Sequence, residues 1–232
     1  MRRFLCATGL VVLMSGLSPA AASAQQSLSF YLGGLAPRAE DARDPTDVLF
    51  SNRAFLDFDI SRFRGGTVGA EWLVALGRDA EAGLGIGFYQ HTEPAVDCCS
   101  VFDDTGDPIV GDLKLRIVPF TATLRLLPFG PDAPVQPYFG LGAGAYRWRY
   151  SETGDFLAND GVTIVRGAFV GKGAASGPVI LGGVRFPISM GTIGGEVRYQ
   201  SATGDLPNNQ GFSGSTIDLG GFNYLLTFNV RF

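Results

Sequence analysis

Three groups of residues in this 232-residue chain have types and spacings that could do chemistry. His91 is the only histidine, and Glu93 follows two positions later. In an extended segment the two share a face, so the carboxylate could orient the imidazole as a general base. Ser100 is the nearest serine in the chain and would have to act as nucleophile for a hydrolase. No pattern specifies that trio, and a solvated histidine at a strand rim is the simpler reading. Cys98 and Cys99 are adjacent, followed by Asp103, Asp104 and Asp107. In an oxidising compartment a vicinal disulfide is expected of such a pair, with an intermolecular bridge or metal capture as the other outcomes. The acidic run fails as a calcium loop, because position twelve counted from Asp103 is Lys114 and not Glu. It reads as a solvated loop, or as a bridge through divalent cations to phosphates. No metal site and no cofactor is expected.

The third group consists of charges set inside strand-like segments: Glu71, Lys114, Arg116, Arg125, Arg185, Glu196, Arg198 and Arg231. What these do depends on the elements that hold them. The segments alternate with a period of two. "GAEWLVAL" sets Ala70, Trp72, Val74 and Leu76 against Gly69, Glu71, Leu73 and Ala75, and "IGGEVRYQ" sets Ile193, Val197 and Tyr199 against Glu196, Arg198 and Gln200. Eight strands are expected, near 27–37, 66–77, 81–92, 110–127, 135–151, 177–187, 191–203 and 217–232. The connections alternate long (38–65, 93–109, 152–176, 204–216) and short. In "LKLRIVPFTATLRLLP" the charged residues change parity across Val118-Pro119, which predicts a bulge there, since proline cannot donate to a ladder. In "PYFGLGAGAYRWRY" the favoured phase turns Tyr138, Tyr146, Trp148 and Tyr150 outward and Arg147 and Arg149 inward.

Composition narrows the class. The formal charge is −4, and −6 once Arg2 and Arg3 are removed, which argues against a nucleic-acid partner. With 33 Gly and 18 Phe the chain is poor material for helices and good material for strands and turns. Arg2 and Arg3, an apolar run to Leu17, and "AASAQQ" form a secretory signal peptide, residues 1–24, cut after Ala24. Cys6 does not end the small-residue run, so no lipoprotein anchor is expected. No later segment approaches 18 consecutive apolar residues.

An alternating sheet could turn its greasy face to a protein core or to lipid. Gly33, Gly69, Gly83, Gly85, Gly87, Gly183 and Gly194 lie on the less greasy face and suit a cramped interior. Lipid is therefore the expected outside. The signal peptide, the eight alternating strands and the terminal "FNVRF" resemble the small Gram-negative outer-membrane barrels (the OmpA transmembrane domain, OmpW and opacity-type proteins). The resemblance implies an all-β fold, an eight-stranded antiparallel up-and-down transmembrane β-barrel spanning 25–232. It implies a location in the outer membrane, contact with outer-membrane lipid and lipopolysaccharide, and a monomeric state. It further implies that Tyr224, Leu226, Phe228, Val230 and Phe232 are read by the barrel-assembly machinery. In this setting the strand charges point inward as an ion-pair plug. The expected role is non-enzymatic, through extracellular loops or as a narrow, porin-like passage for small apolar molecules past Leu73, Leu181 and Leu225. Two alternatives are a lipid A-modifying hydrolase using His91 and a soluble periplasmic lipocalin-like carrier.

Overall fold

The structure, a computed structural model, describes residues 25–102, 105–157 and 163–232. The expected signal peptide, Asp103 and Asp104 lie outside the described residues. Eight antiparallel strands make the body: β1 (Gln26–Pro37), β2 (Gly65–Ala75), β3 (Ala80–Val101), β4 (Pro108–Leu126), β5 (Gln136–Leu157), β6 (Ile164–Ile188), β7 (Gly191–Gln200) and β8 (Gly221–Arg231). Each pairs with its successor, and β8 pairs back onto β1 from Ser27↔Arg231 to Pro37↔Gly221. The sheet therefore closes on itself over the height of its short strands. This is the up-and-down barrel that the alternation and the strand count predict.

The barrel is lopsided. Strands β3 to β6 run 19 to 25 residues, whereas β1, β2, β7 and β8 run 10 to 12. Both ends of the barrel chain, Gln26 and Arg231, lie at the lower end with the turn between β2 and β3. From the opposite, upper end, β3 to β6 rise as a wall. The segments 93–109 and 152–176, expected as loops, are largely continuations of these strands. They lacked a greasy outer face and so did not read as lipid-facing strand.

Two connections fold against the inside of that wall. The β1–β2 connection carries a short helix, α1 (Val48–Asn52), and a 3-10 turn, Ile60–Phe63. Asp47 caps α1, accepting from the amides of Leu49 and Phe50, as an N-cap aspartate does. The β7–β8 connection folds into a two-stranded ribbon, Thr203–Asp205 with Thr216–Asp218. Val48, Leu49, Phe58, Ile60 and Phe63 from the first, and Ala202, Leu206, Ile217 and Leu219 from the second, pack on Leu113, Leu115, Ile117, Tyr146, Trp148 and Tyr150 of the wall. The upper part is thus a packed crown with its own apolar core.

No bulge forms at Val118-Pro119. The β4–β5 register runs unbroken through Ile117↔Trp148, Val118↔Arg147, Pro119↔Tyr146 and Phe120↔Ala145. Odd positions of β4 face inward along its whole length, with Leu113, Leu115 and Ile117 buried above and Thr121, Thr123 and Arg125 buried below. Chemistry changes along the strand while the phase does not. Below Phe120 the inside is polar and the outside apolar; above it the two exchange. Tyr138, Tyr146, Trp148 and Tyr150, expected to meet lipid, are buried inside, the last three in the apolar interior above Phe120 and Tyr138 in the polar interior below it.

Candidate functional site

The lower bore is filled by side chains that meet across it. Glu71 on β2 and Glu196 on β7 alternate with Arg125 on β4 and Arg198 on β7. Arg125 donates to Glu71 and reaches Glu196 at 3.1 Å; Arg198 binds Glu71 at 3.0 Å and Glu196 at 2.7 Å. The hydroxyl of Thr123 donates to Glu71 at 2.8 Å and that of Tyr138 to Glu196 at 2.9 Å. All four charges are at least nine-tenths buried. Arg185 binds Glu81 at 2.9 Å and lies over the Tyr138 ring, 4.4 Å from its centroid. Three carboxylates face three guanidiniums, so the bore holds no uncompensated charge from this set.

Small residues make that crowding feasible. A Cβ at Gly83 would run into the Glu71 carboxylate and the Thr123 hydroxyl, and one at Gly69 or Gly87 into the phenol end of Tyr31. Tyr31 in turn lies beneath Arg198, 5.3 Å from the guanidinium carbon. Leu73, Leu181 and Leu225, the residues expected to grease a passage, are buried inside. Leu181 packs with Leu127 and Tyr138.

The other expected inward charges divide. Arg231 sits half-buried at the lower mouth, 3.5 Å from the Gln136 amide oxygen. Lys114 and Arg116 do not enter the bore: they are exposed on the outer face of β4, because even positions of that strand face outward throughout. Arg147 and Arg149 of β5, expected inside, are exposed outside as well. Leu113, Leu115 and Ile117 take the inward places instead.

His91 lies within β3, not at its end, and faces inward against Phe63, with ring centroids 5.8 Å apart. Its Nε2 is 3.5 Å from Glu93 Oε2, and no hydrogen bond joins them. Glu93 also stands 3.6 Å from Arg62. No described serine, threonine or cysteine side chain hydrogen-bonds the ring, so the geometry of an activated nucleophile is missing from the described residues. Cys98 and Cys99 are joined to each other at the top of β3. Asp97 accepts from the amides of Cys99 and Ser100.

The crown is tied together by polar contacts that sequence reading did not find. Asp47 binds Arg43 at 2.9 Å, and the two are almost fully buried. Arg38 binds Asp218 at 2.9 Å, which joins the β1–β2 connection to the ribbon. Asn52 donates to Glu152 at 2.7 Å, and Tyr150 donates to the same carboxylate at 2.9 Å. Burial raises the Glu152 carboxyl above its ordinary range, against the lowering effect of those two bonds. Asn52 and Glu152 are 100 positions apart and Arg38 and Asp218 180, separations over which alternation alone could not pair them.

The outer surface below the crown is an apolar belt: Phe30, Leu32, Val68, Trp72, Leu84, Ile86, Phe88, Phe120, Leu124, Leu141, Ile180, Ile193, Val197 and Leu226 are all exposed. Leu141 is 66% exposed and Leu226 65%, values at which such residues in water would be costly in this number. Of the expected assembly residues, Tyr224, Leu226 and Phe232 are exposed and Phe228 and Val230 half-buried, on the same outer face. A closed sheet with a greasy belt outside and a satisfied polar network inside defines a small transmembrane β-barrel.

No protein-family model matches the sequence, and no curated protein does. Solved structures similar to it include Neisserial surface protein A, at 11% identity over 90% of this chain and 97% of that one, with a TM-score of 0.46. Another is Ail, the attachment invasion locus protein of Yersinia pestis, at 17% identity over 90% and 99%, TM-score 0.37. Ail in complex with the heparin analogue sucrose octasulfate gives 15% identity over 90% and 99%, TM-score 0.36. The fold of the present chain stands on its own closed register.

Proposed function

We propose that this chain is an outer-membrane barrel without enzymatic activity, exported by a signal peptide at residues 1–24, whose working part is the rigid crown presented above the bilayer. The observation that carries this reading is the filled bore. Glu71, Arg125, Glu196 and Arg198 cross-link it in its lower half, and the apolar core of Tyr146, Trp148, Tyr150 and the two folded connections fills it above. A barrel so filled has no path for solute, and its walls serve to hold the crown. The exposed belt supports the membrane location, and the reversed arrangement that a soluble carrier needs, with phenylalanines inside and Arg198 outside, is not met.

Two measurements test the reading. The protein is expected in the outer-membrane fraction, released by detergent and not by salt, and purified barrels in planar bilayers are expected to stay electrically silent. Steady single-channel conductance from the wild type, or recovery in the soluble periplasmic fraction, overturns it.

A further inference from the structure

On the outer face of the wall, just above the belt, five basic side chains stand together. Across the strands Gln90 is paired with Arg116, Arg116 with Arg149, and Arg149 with Lys172. Lys114 lies two positions further up β4 and Arg147 two positions further down β5. All five are exposed. None makes an ion pair or a side-chain hydrogen bond with a described residue; Asp112, two positions above Lys114 on the same face, makes no ion pair with it. Like charges placed directly opposite on neighbouring strands repel. The chain places three cations in one row spanning roughly 10 Å, by ordinary strand spacing, while its overall charge is negative.

Position identifies what would relieve that repulsion. Arg116, Arg147, Arg149 and Lys172 line a trough together with Val118 and Phe120, so its lower lip is apolar and continues into the belt. A second, polar depression joins Gln90, Lys114, Arg116, Arg149 and Ser151. An occupant must carry hydrocarbon below and anionic groups immediately above. We propose that Lys114, Arg116, Arg147, Arg149 and Lys172 form a collar that binds the phosphate groups of outer-leaflet lipid and fixes the depth and tilt of the barrel. The collar rests on the membrane reading above. It lies on the wall strands alone, so lipid is gathered on one side of the barrel, next to the tall half of the crown.

The test uses the full mature chain, purified in neutral detergent at physiological salt, and its Arg116→Gln/Arg149→Gln/Lys172→Gln variant. Arg78→Gln, in the lower turn, is the charge control. The probes are lipid A with two phosphates, the same lipid dephosphorylated, and dextran sulfate as a soluble polyanion. Binding of the bisphosphorylated lipid is expected to weaken roughly a hundredfold in the triple variant, from the attraction each basic residue gives near an anionic surface. Arg78→Gln is expected to bind as the wild type does. Dephosphorylated lipid is expected to bind the wild type and the triple variant equally. Equal affinity of wild type and variant for bisphosphorylated lipid overturns the collar, as does wild-type binding of dextran sulfate in preference to it. Should the variant lose its heat-modified gel migration and so fail to fold, the wild type's preference for phosphorylated over dephosphorylated lipid decides. A wild type recovered in the soluble fraction would defeat the membrane reading itself, whereas a membrane-bound wild type indifferent to phosphate defeats only the collar.

Discussion

Arg198 on β7 reaches Glu71 on β2 at 3.0 Å, although neither strand is a neighbour of the other in the sheet. The bond therefore spans the bore. With Arg125 contributing from β4, the network braces the cylinder across its diameter, a stiffness that ladder hydrogen bonds around the wall cannot provide.

Removing one member strands the others. Glu71→Gln leaves Arg125 and Arg198 sharing Glu196 alone in a buried setting, and a loss of about 3–5 kcal/mol is expected. Urea unfolding in detergent micelles, followed by gel mobility without boiling, measures it. A loss below 1 kcal/mol would mean that water reaches the bore freely.

Space around the same carboxylate gives a sharper contrast. Gly83→Val forces a side chain into Glu71 and Thr123, with an expected cost of about 1–3 kcal/mol. Ala122→Val adds the same kind of bulk on the exposed outer face of the barrel, in the belt, and is expected to stay within about 0.5 kcal/mol. Equal effects of the two substitutions would contradict the inward phase of Gly83.

Labelling checks the height at which the outer surface changes character. Cys98 and Cys99 are bonded to each other, so an added cysteine reports alone. Arg147→Cys is expected to react with a membrane-impermeant maleimide on intact cells, and Leu141→Cys, three pairs of residues lower in the belt, is expected to remain unlabelled. Reaction at both positions would place the belt in water.

Inside the crown, Leu115 and Arg116 are neighbours with opposite environments. Leu115→Arg buries a charge with no partner and is expected to open the crown to protease at the β1–β2 connection. Arg116→Leu is expected to leave the digestion pattern unchanged. Limited proteolysis in detergent compares the two directly.

Glu152 makes the crown sensitive to pH. Its folded carboxyl titrates higher than in the unfolded chain, because burial opposes the charge. The folded state then binds the proton more tightly. The associated stability is fully present below the ordinary carboxylate range and declines as pH rises through the raised value. Crown protection measured by hydrogen exchange is expected to fall from pH 4 toward neutrality, and Glu152→Gln is expected to flatten that decline. An unchanged slope in the variant would assign the dependence to another group.

Much of this molecule is legible in its sequence, for one physical reason: a strand's side chains alternate, and a surface that meets a single solvent keeps one polarity. Where that condition holds, as on β1, β2, β7 and β8, the residues themselves determine the fold class, the strand count, and the inward places of Glu71, Glu196 and Arg198. It fails on β4 and β5, which leave the belt and continue into water while their phase stays constant. There Lys114 and Arg116 read as inward, and Tyr146, Trp148 and Tyr150 as lipid-facing, because alternation gives the period of a strand and not which side is outside. Only the closed register, with odd positions of β4 inside from Leu113 to Arg125, decided that the polarity inverts and the strand does not. Likewise the pairing of Glu71 with Arg125 and Arg198, and of Asn52 with Glu152, depends on distances across a filled cylinder, and no local pattern along the chain encodes a separation of that kind.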